Sequence, residues 1–201
     1  MKLMSRGVLV VCMVVAVCMS GVQTSSPAST PQPADAQLAA LVKQQFGATF
    51  TLPATFPTPV ITADFDSDGV EDVAIVAKSK EPFPDSFALK YQVFDPYNSY
   101  FGQSDPALSS TFSAHDPRRD HDLLVIFGAG AEGWHAATPK AKFVLINVPF
   151  DTIAVGRMLL KKNKPPIFVI KTRETQIMES AVYWDAKKKR WKWEPGRDVE
   201  E

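Results

Sequence analysis

From Pro59 to the C-terminus the chain is cut into short segments rich in Val, Ile, Phe and Trp and punctuated by turns. Runs of this kind are too short for stable helices and have the composition of strands. The expected strands are Pro59–Thr62, Asp72–Ala77, Leu89–Phe94, Leu123–Phe127, Lys142–Asn147, Ile167–Lys171, Ile177–Trp184 and Arg190–Trp193. Segment 150–160 reads both ways, with Thr152–Val155 as strand and Arg157–Lys161 as helix. Proline stands at 16 of 201 residues, against a usual level of about 5%, which also favours turns and edges over long helices. The last stretch is the clearest hairpin: Val182 and Trp184 share one face, Asp185–Lys189 turns the chain, and Trp191 and Trp193 alternate with Arg190 and Lys192. One helix precedes the strands. Asp35 is placed to cap Ala36–Phe46, where Leu38, Leu41, Val42 and Phe46 recur at helical spacing before Gly47.

The N-terminus reads as an address rather than as fold. Lys2 and Arg6 precede a charge-free run from Gly7 to Met19, and small residues follow at Ser20 and Gly21. That is the pattern of a secretory signal peptide, here 1–21, and it implies an exported protein, periplasmic, secreted or envelope-associated. A bilayer-spanning helix needs roughly 20 apolar residues, which argues against an uncleaved anchor, and Val17 ahead of Cys18 argues against lipid anchoring there. Both cysteines, Cys12 and Cys18, lie in this segment. Cleavage downstream of Cys18 leaves no disulfide, thiolate or cysteine-ligated metal, so an exported domain must be held by its core or by a bound ion. Residues 22–34 are rich in Ser, Thr and Pro and read as a disordered tether. Residues 197–201 form an acidic tail. Across the whole chain 22 basic residues balance 22 acidic ones, which excludes a strongly basic nucleic-acid binder.

The strongest local signal is Asp64-Phe65-Asp66-Ser67-Asp68-Gly69-Val70-Glu71-Asp72. Carboxylates fall at positions 1, 3, 5 and 9, with glycine at 6. Calcium takes six to eight oxygen ligands, and a tight loop turns alternate carboxylates towards one centre. Gly69 permits the sharp turn and the Val70 carbonyl supplies a further oxygen. Between Thr62 and Ala77 there are five acids and no Lys or Arg. Converging like charges raise one another's pKa unless a cation joins them. Magnesium, which keeps several waters in a strict octahedron, fits less well than calcium. Position 12 is Ile75 rather than Glu, and the residues after the loop read as a strand, so a helix–loop–helix EF-hand is excluded.

The stretch D-F-D-S-D-G-V-E-D-V-A-I-V resembles the calcium loop of FG-GAP/VCBS repeats, the repeat also found in the β-propeller of integrin α subunits. In that family a D-x-[DN]-x-D-G-x-x-D loop precedes a strand and binds calcium. The resemblance implies calcium ligands at Asp64, Asp66, Asp68, Val70 (by its carbonyl) and Asp72. Phe127-Gly128-Ala129-Gly130-Ala131 is loosely similar to the Phe-Gly…Gly-Ala part of the repeat. A propeller needs several blades and this chain has room for one or two. The chain is also similar to exported bacterial proteins that carry a single loop of this type.

Three further patterns bear on function. Gly128-Ala129-Gly130-Ala131-Glu132-Gly133 fits G-x-G-x-x-G, but only eight residues separate it from the strand at Lys142 and Pro139 interrupts them. A parallel crossover needs at least about 10–12 residues with a helix, so a flexible hairpin loop is expected and no dinucleotide. His115, Asp116, His121 and Asp122 bring two histidines to carboxylates, which suits a zinc ligand set or an acid–base pair. Pro117, Arg118 and Arg119 favour an exposed, self-neutralising loop instead, within a span 95–122 that shows no periodicity. From Arg157 to Lys192 there are 11 Lys or Arg against three acids, a field able to steer an anionic envelope polymer or another protein, with Trp191 and Trp193 as stacking candidates or as core.

The sequence thus predicts a mainly β (α+β) domain over 35–196. It has antiparallel sheet(s), one N-terminal helix and a calcium loop at 64–72, and it is not a complete β-propeller. The leading function is an exported, non-enzymatic calcium-binding module with a structural or interaction role at the envelope. A metal-assisted hydrolase using the His115/His121 region and a binder of anionic polymer through the basic C-terminal segment are the alternatives. No nucleic acid, no dinucleotide and no transmembrane helix in the mature chain are expected.

Overall fold

The computed structural model describes residues 33–103, 120–175 and 178–196. The chain runs α1 (Pro33–Phe46), β1 (Val60–Ala63), β2 (Asp72–Ala77), α2 (Ser86–Leu89), β3 (Gln92–Phe94), α3 (Pro96–Tyr100), β4 (Asp122–Phe127), a 3-10 turn (Gly130–His135), β5 (Ala141–Leu145), β6 (Thr152–Met158), β7 (Ile167–Glu174), β8 (Met178–Asp185) and β9 (Arg190–Pro195). The strands form two open sheets. The first has the order β1-β2-β4-β5-β3, antiparallel except for β3 against β5. The second is the antiparallel meander β6-β7-β8-β9. Neither sheet closes into a barrel or a propeller.

The first sheet is the middle layer, and its central strands show it. Every residue of β2 (DVAIVA) and β4 (DLLVIF) is buried, because each face has a cover, and this is why both read as continuous apolar runs rather than as alternation. Val73, Ile75, Leu124 and Ile126 pack with Val42 and Phe46 of α1 and with Phe50 and Tyr91. Ala74, Val76, Leu123, Val125 and Phe127 face the other way, onto Ile153, Ile170, Val182, Trp191 and Trp193 of the second sheet. Burial of an aliphatic or aromatic side chain contributes about 1.5–3 kcal/mol, so this two-sided packing is the main source of stability in a domain whose described residues contain no cysteine. The outer face of the second sheet carries only a small cluster, Met158, Val169, Ala181 and Tyr183 with Ile167, so the inner strands β7 and β8 bury four consecutive residues at their centres, whereas the edge strand β9 alternates buried Trp191 and Trp193 with Arg190 and Lys192.

Four local expectations change. The helix starts at Pro33, so Asp35 lies inside its first turn rather than ahead of it. The segment expected as strand Leu89–Phe94 begins as the end of α2; Lys90 turns the chain at φ 57°, and only Gln92–Phe94 pairs. Segment 150–160 resolves to strand: β6 runs through Arg157 to Met158, and Lys161–Lys164 is a turn, not a helix. Two short helices, α2 and α3, join the N-terminal one. No helix among the described residues is long and apolar enough to cross a membrane. The apolar N-terminal run, the tether up to residue 32, the acidic tail and most of the span 95–122 lie outside the described residues, while residues 33 and 34, expected as tether, belong to α1.

Candidate metal centre

The acidic loop joins β1 to β2, and the antiparallel register Ala63↔Asp72 closes it at its base. Ser67 and Gly69 both take left-handed backbone, φ 63° and 86°, which curls the eight residues between the strands tightly enough to return on themselves. Asp64 braces this curl. Its two oxygens accept the N–H groups of Asp68 at 3.0 Å and Gly69 at 2.8 Å. Asp68 Oδ1 accepts the N–H of Val70 at 2.8 Å, a short local turn.

Asp72 does the most to fix the site. It is buried, with Oδ2 accepting from Phe65 N and Oδ1 from Gly128 N, both at 2.8 Å. One carboxylate therefore ties the start of the loop to the end of β4. Burial pushes its carboxyl up to about 7, against the two N–H donors, which favour the ionised form; the nearby Asp66 charge adds to the rise.

Oxygens of Asp64, Asp66 and Asp72 lie within 4.8 Å of one another. Two oxygens on one ion at about 2.4 Å are separated by at most about twice that distance, so this group could hold one metal ion. The Asp66 side chain is only 5% exposed, and its Oδ1 is buried without a hydrogen-bond partner. A buried, unmatched carboxylate oxygen is costly and calls for a cation or a donor.

Asp68, the fourth carboxylate of the sequence pattern, is not part of that group of three. Its Oδ2 and that of Asp66 both accept from Lys140 Nζ, at 2.5 and 2.6 Å. Hydrogen bonding to Lys140 is the main reason the Asp68 carboxyl sits below its ordinary value, and the same pair of carboxylates raises the Lys140 ammonium. Lys140 is missing from any local reading because it comes from the far side of the β4–β5 connection, 72 and 74 residues away. Val70 contributes its N–H to the loop. The charge problem posed by converging acids is thus met in part by a lysine from within the chain.

The glycine-rich stretch has a packing explanation at this site. A Cβ on Gly128 would lie 2.3 Å from the Glu71 carbonyl oxygen, so only glycine lets the acidic loop lie against the end of β4. The stretch forms a 3-10 turn, with Gly133 at φ 57°, and Trp134 Nε1 donates to Glu71 Oε2 at 3.0 Å. β4 and β5 are antiparallel neighbours, so no crossover helix stands behind the G-x-G-x-x-G pattern.

The second candidate group is elsewhere. Asp122 and Phe127 mark opposite ends of β4, roughly 17 Å apart at about 3.3 Å per residue. His121 precedes Asp122 and lines a cavity with Phe56, Lys78, Phe150 and Asp151, none of them from the acidic loop. Its Nδ1 is 2.7 Å from Asp120 Oδ1, and Asp120 also pairs with Lys78. Burial lowers the His121 pKa. Asp122 is fully buried on the α1 side of the sheet, and neither oxygen has a hydrogen-bond partner; burial, then the Asp120 charge, holds its carboxyl well above the usual range. His115 and Asp116 lie outside the described residues. The structure therefore does not bring His121 or Asp122 to the acidic loop. Nor do Trp191 and Trp193 offer a stacking platform: they are 2% and 6% exposed and belong to the core between the sheets.

No family model, no curated protein and no solved structure matches this chain.

Proposed function

We propose that the Asp64–Asp72 loop binds one calcium ion, and that the protein is an exported, non-enzymatic module in which this ion braces the domain. The observation that carries the reading is the group of three carboxylates from Asp64, Asp66 and Asp72 with a buried, unmatched oxygen on Asp66. An all-oxygen donor set without sulfur or imidazole suits a hard cation, and calcium is the hard divalent cation abundant outside cells. The likeness of the loop to FG-GAP/VCBS repeats and the basic-then-apolar N-terminus support the same reading.

The ion's role is structural. Asp64 holds the loop's curl and Asp72 holds the loop to Gly128, so a cation between them links the β1–β2 and β4–β5 connections of the first sheet. An ion that binds only the folded state stabilises it by RT ln(1 + [L]/Kd), about 2.7 kcal/mol at a hundredfold excess over Kd. In an extracytoplasmic domain this takes the place of a disulfide. The hydrolase alternative is less favoured, since His121 and the acidic loop line different cavities.

The experiment is thermal unfolding with calcium, magnesium or a chelator. Calcium raises Tm more than magnesium does, and Asp66→Ala abolishes the rise. A melting curve that is the same in calcium and in chelator overturns the reading.

A further inference from the structure

The β6–β7 connection and the β8–β9 turn leave the same end of the second sheet. Met158 pairs with Ile167 at the end of β6–β7, and Asp185 pairs with Arg190 at the end of β8–β9. The β7–β8 register, Ile170↔Val182, brings Ile167 abreast of Asp185. The two connections are therefore about 10 Å apart, two strand spacings.

Lys161, Lys162 and Lys164 project from the first connection, and Lys187, Lys188 and Lys189 from the second. All six are exposed. None makes an ion pair among the described residues, and neither 159–166 nor 186–189 contains an acid. The first connection is ordered by a turn, Lys164 N to Lys161 O at 3.1 Å, and continues into Pro165 and Pro166. Beside its lysines stand Leu159 and Leu160, 50% and 39% exposed, two of the six large apolar residues in the described chain that face water. A solvated charged face explains lysines. It does not explain two adjacent leucines held out among them on a turned, proline-stiffened loop.

We propose that this end of the second sheet docks on an anionic lipid surface, with the six lysines against the headgroups and Leu159 and Leu160 in the headgroup–acyl boundary. Positive charge on two loops set side by side complements a negative plane, each Lys near such a surface contributing on the order of a fivefold gain in partitioning. The exposed leucines supply the apolar part that a soluble anionic polymer has no use for. The acidic loop is close by, since Asp64 and Ser67 line a cavity with Leu160, Lys161 and Lys164. The Asp64 carboxylate, however, is turned to its own loop by the Asp68 and Gly69 N–H groups. The surface does not depend on the bound ion proposed above.

The test is co-sedimentation with phosphatidylglycerol-containing and pure phosphatidylcholine vesicles. It uses the chain from Val22 onward, which keeps the whole compact unit 32–201 and omits the apolar N-terminal run. Binding to the anionic vesicles in chelator, weakened by salt and absent with phosphatidylcholine, is the expected result. The Lys161→Gln/Lys162→Gln/Lys164→Gln variant loses at least about tenfold in partitioning, and Leu159→Ser/Leu160→Ser loses the salt-resistant part, both with unchanged circular dichroism and Tm. No binding to anionic vesicles overturns the proposal. So does equal binding by the lysine variant. Unaltered binding by the leucine variant overturns it in favour of a purely electrostatic contact, as with an anionic polymer. A strict calcium requirement overturns it by assigning the contact to the acidic loop, and the Tm experiment reports on calcium binding separately.

Discussion

On the proposed reading Lys140 and a calcium ion compete for the Asp66 carboxylate, and Lys140→Met measures by how much. The ammonium holds Asp66 Oδ2 and Asp68 Oδ2 at 2.6 and 2.5 Å from a side chain that is 47% exposed. Each contact is a partly exposed ion pair, so solvent screening limits it to about 0.5–1 kcal/mol. An incoming divalent ion that displaces Lys140 from both carboxylates forgoes roughly 1–2 kcal/mol of lysine contacts. With about 1.4 kcal/mol per factor of ten, removing the lysine tightens calcium Kd about 5–30-fold. The same change has the opposite sign without metal: it leaves the nearly buried Asp66 carboxylate without its cation, so Tm falls in chelator. Isothermal titration calorimetry gives the affinity, and melting curves in chelator and in calcium give the two stabilities. Weaker or unchanged affinity in Lys140→Met refutes the reasoning, because the lysine then stays with the carboxylates when the ion is bound. A tighter Kd together with a wider gap between the two melting temperatures agrees with it.

Other substitutions probe the scaffold. Gly128→Ala sets a methyl group 2.3 Å from the Glu71 carbonyl oxygen, and the backbone shift that follows destabilises by about 1–3 kcal/mol, measured by urea unfolding. Asp122→Leu raises stability at neutral pH by about 1–3 kcal/mol by removing two buried, unmatched oxygens. The folded-state pKa of Asp122 is raised above its unfolded value, so its neutral form favours folding below the ordinary carboxylate range and that contribution declines as pH rises. Replicate unfolding curves from pH 4 to 8 are therefore flatter for Asp122→Leu than for wild type, and parallel curves contradict the assignment. Phe46→Ala, which empties the fully buried centre of the α1 side, costs about 3–5 kcal/mol in the same assay without altering calcium affinity.

The sequence makes the strands legible wherever burial dictates composition. β2 and β4 have covers on both faces and so nothing but apolar side chains after their first-position aspartates, and β2 is found at Asp72–Ala77 to the residue. β6 reads ambiguously because Gly156 and the exposed Arg157 dilute its alternation and a basic turn follows. α2 is hidden because Phe87, 95% exposed, and Leu89 carry the composition of a strand in a helix that buries no residue. The parallel pairing of β3 with β5 joins residues about fifty apart, and no local pattern specifies it. At the candidate site the same limit applies. The Asp pattern and Gly69 are local and readable, whereas Lys140 and Gly128 reach the loop through tertiary structure. The two glycines that resembled a phosphate-binding turn, Gly128 and Gly133, serve a close backbone approach that only the folded sheet reveals.

That Asp72 bridges Phe65 N and Gly128 N decides where affinity for the proposed ion would reside. The chelate is preorganised by a clamp whose second jaw is 56 residues downstream. An excised peptide carrying residues 60–80 contains every acidic donor yet lacks that jaw, and must spend ordering entropy that the intact sheet has already met. If the loop binds calcium as proposed, uptake reports on the docking of β4 against β2, and a chain still growing past residue 80 gains its affinity only when the fourth strand arrives.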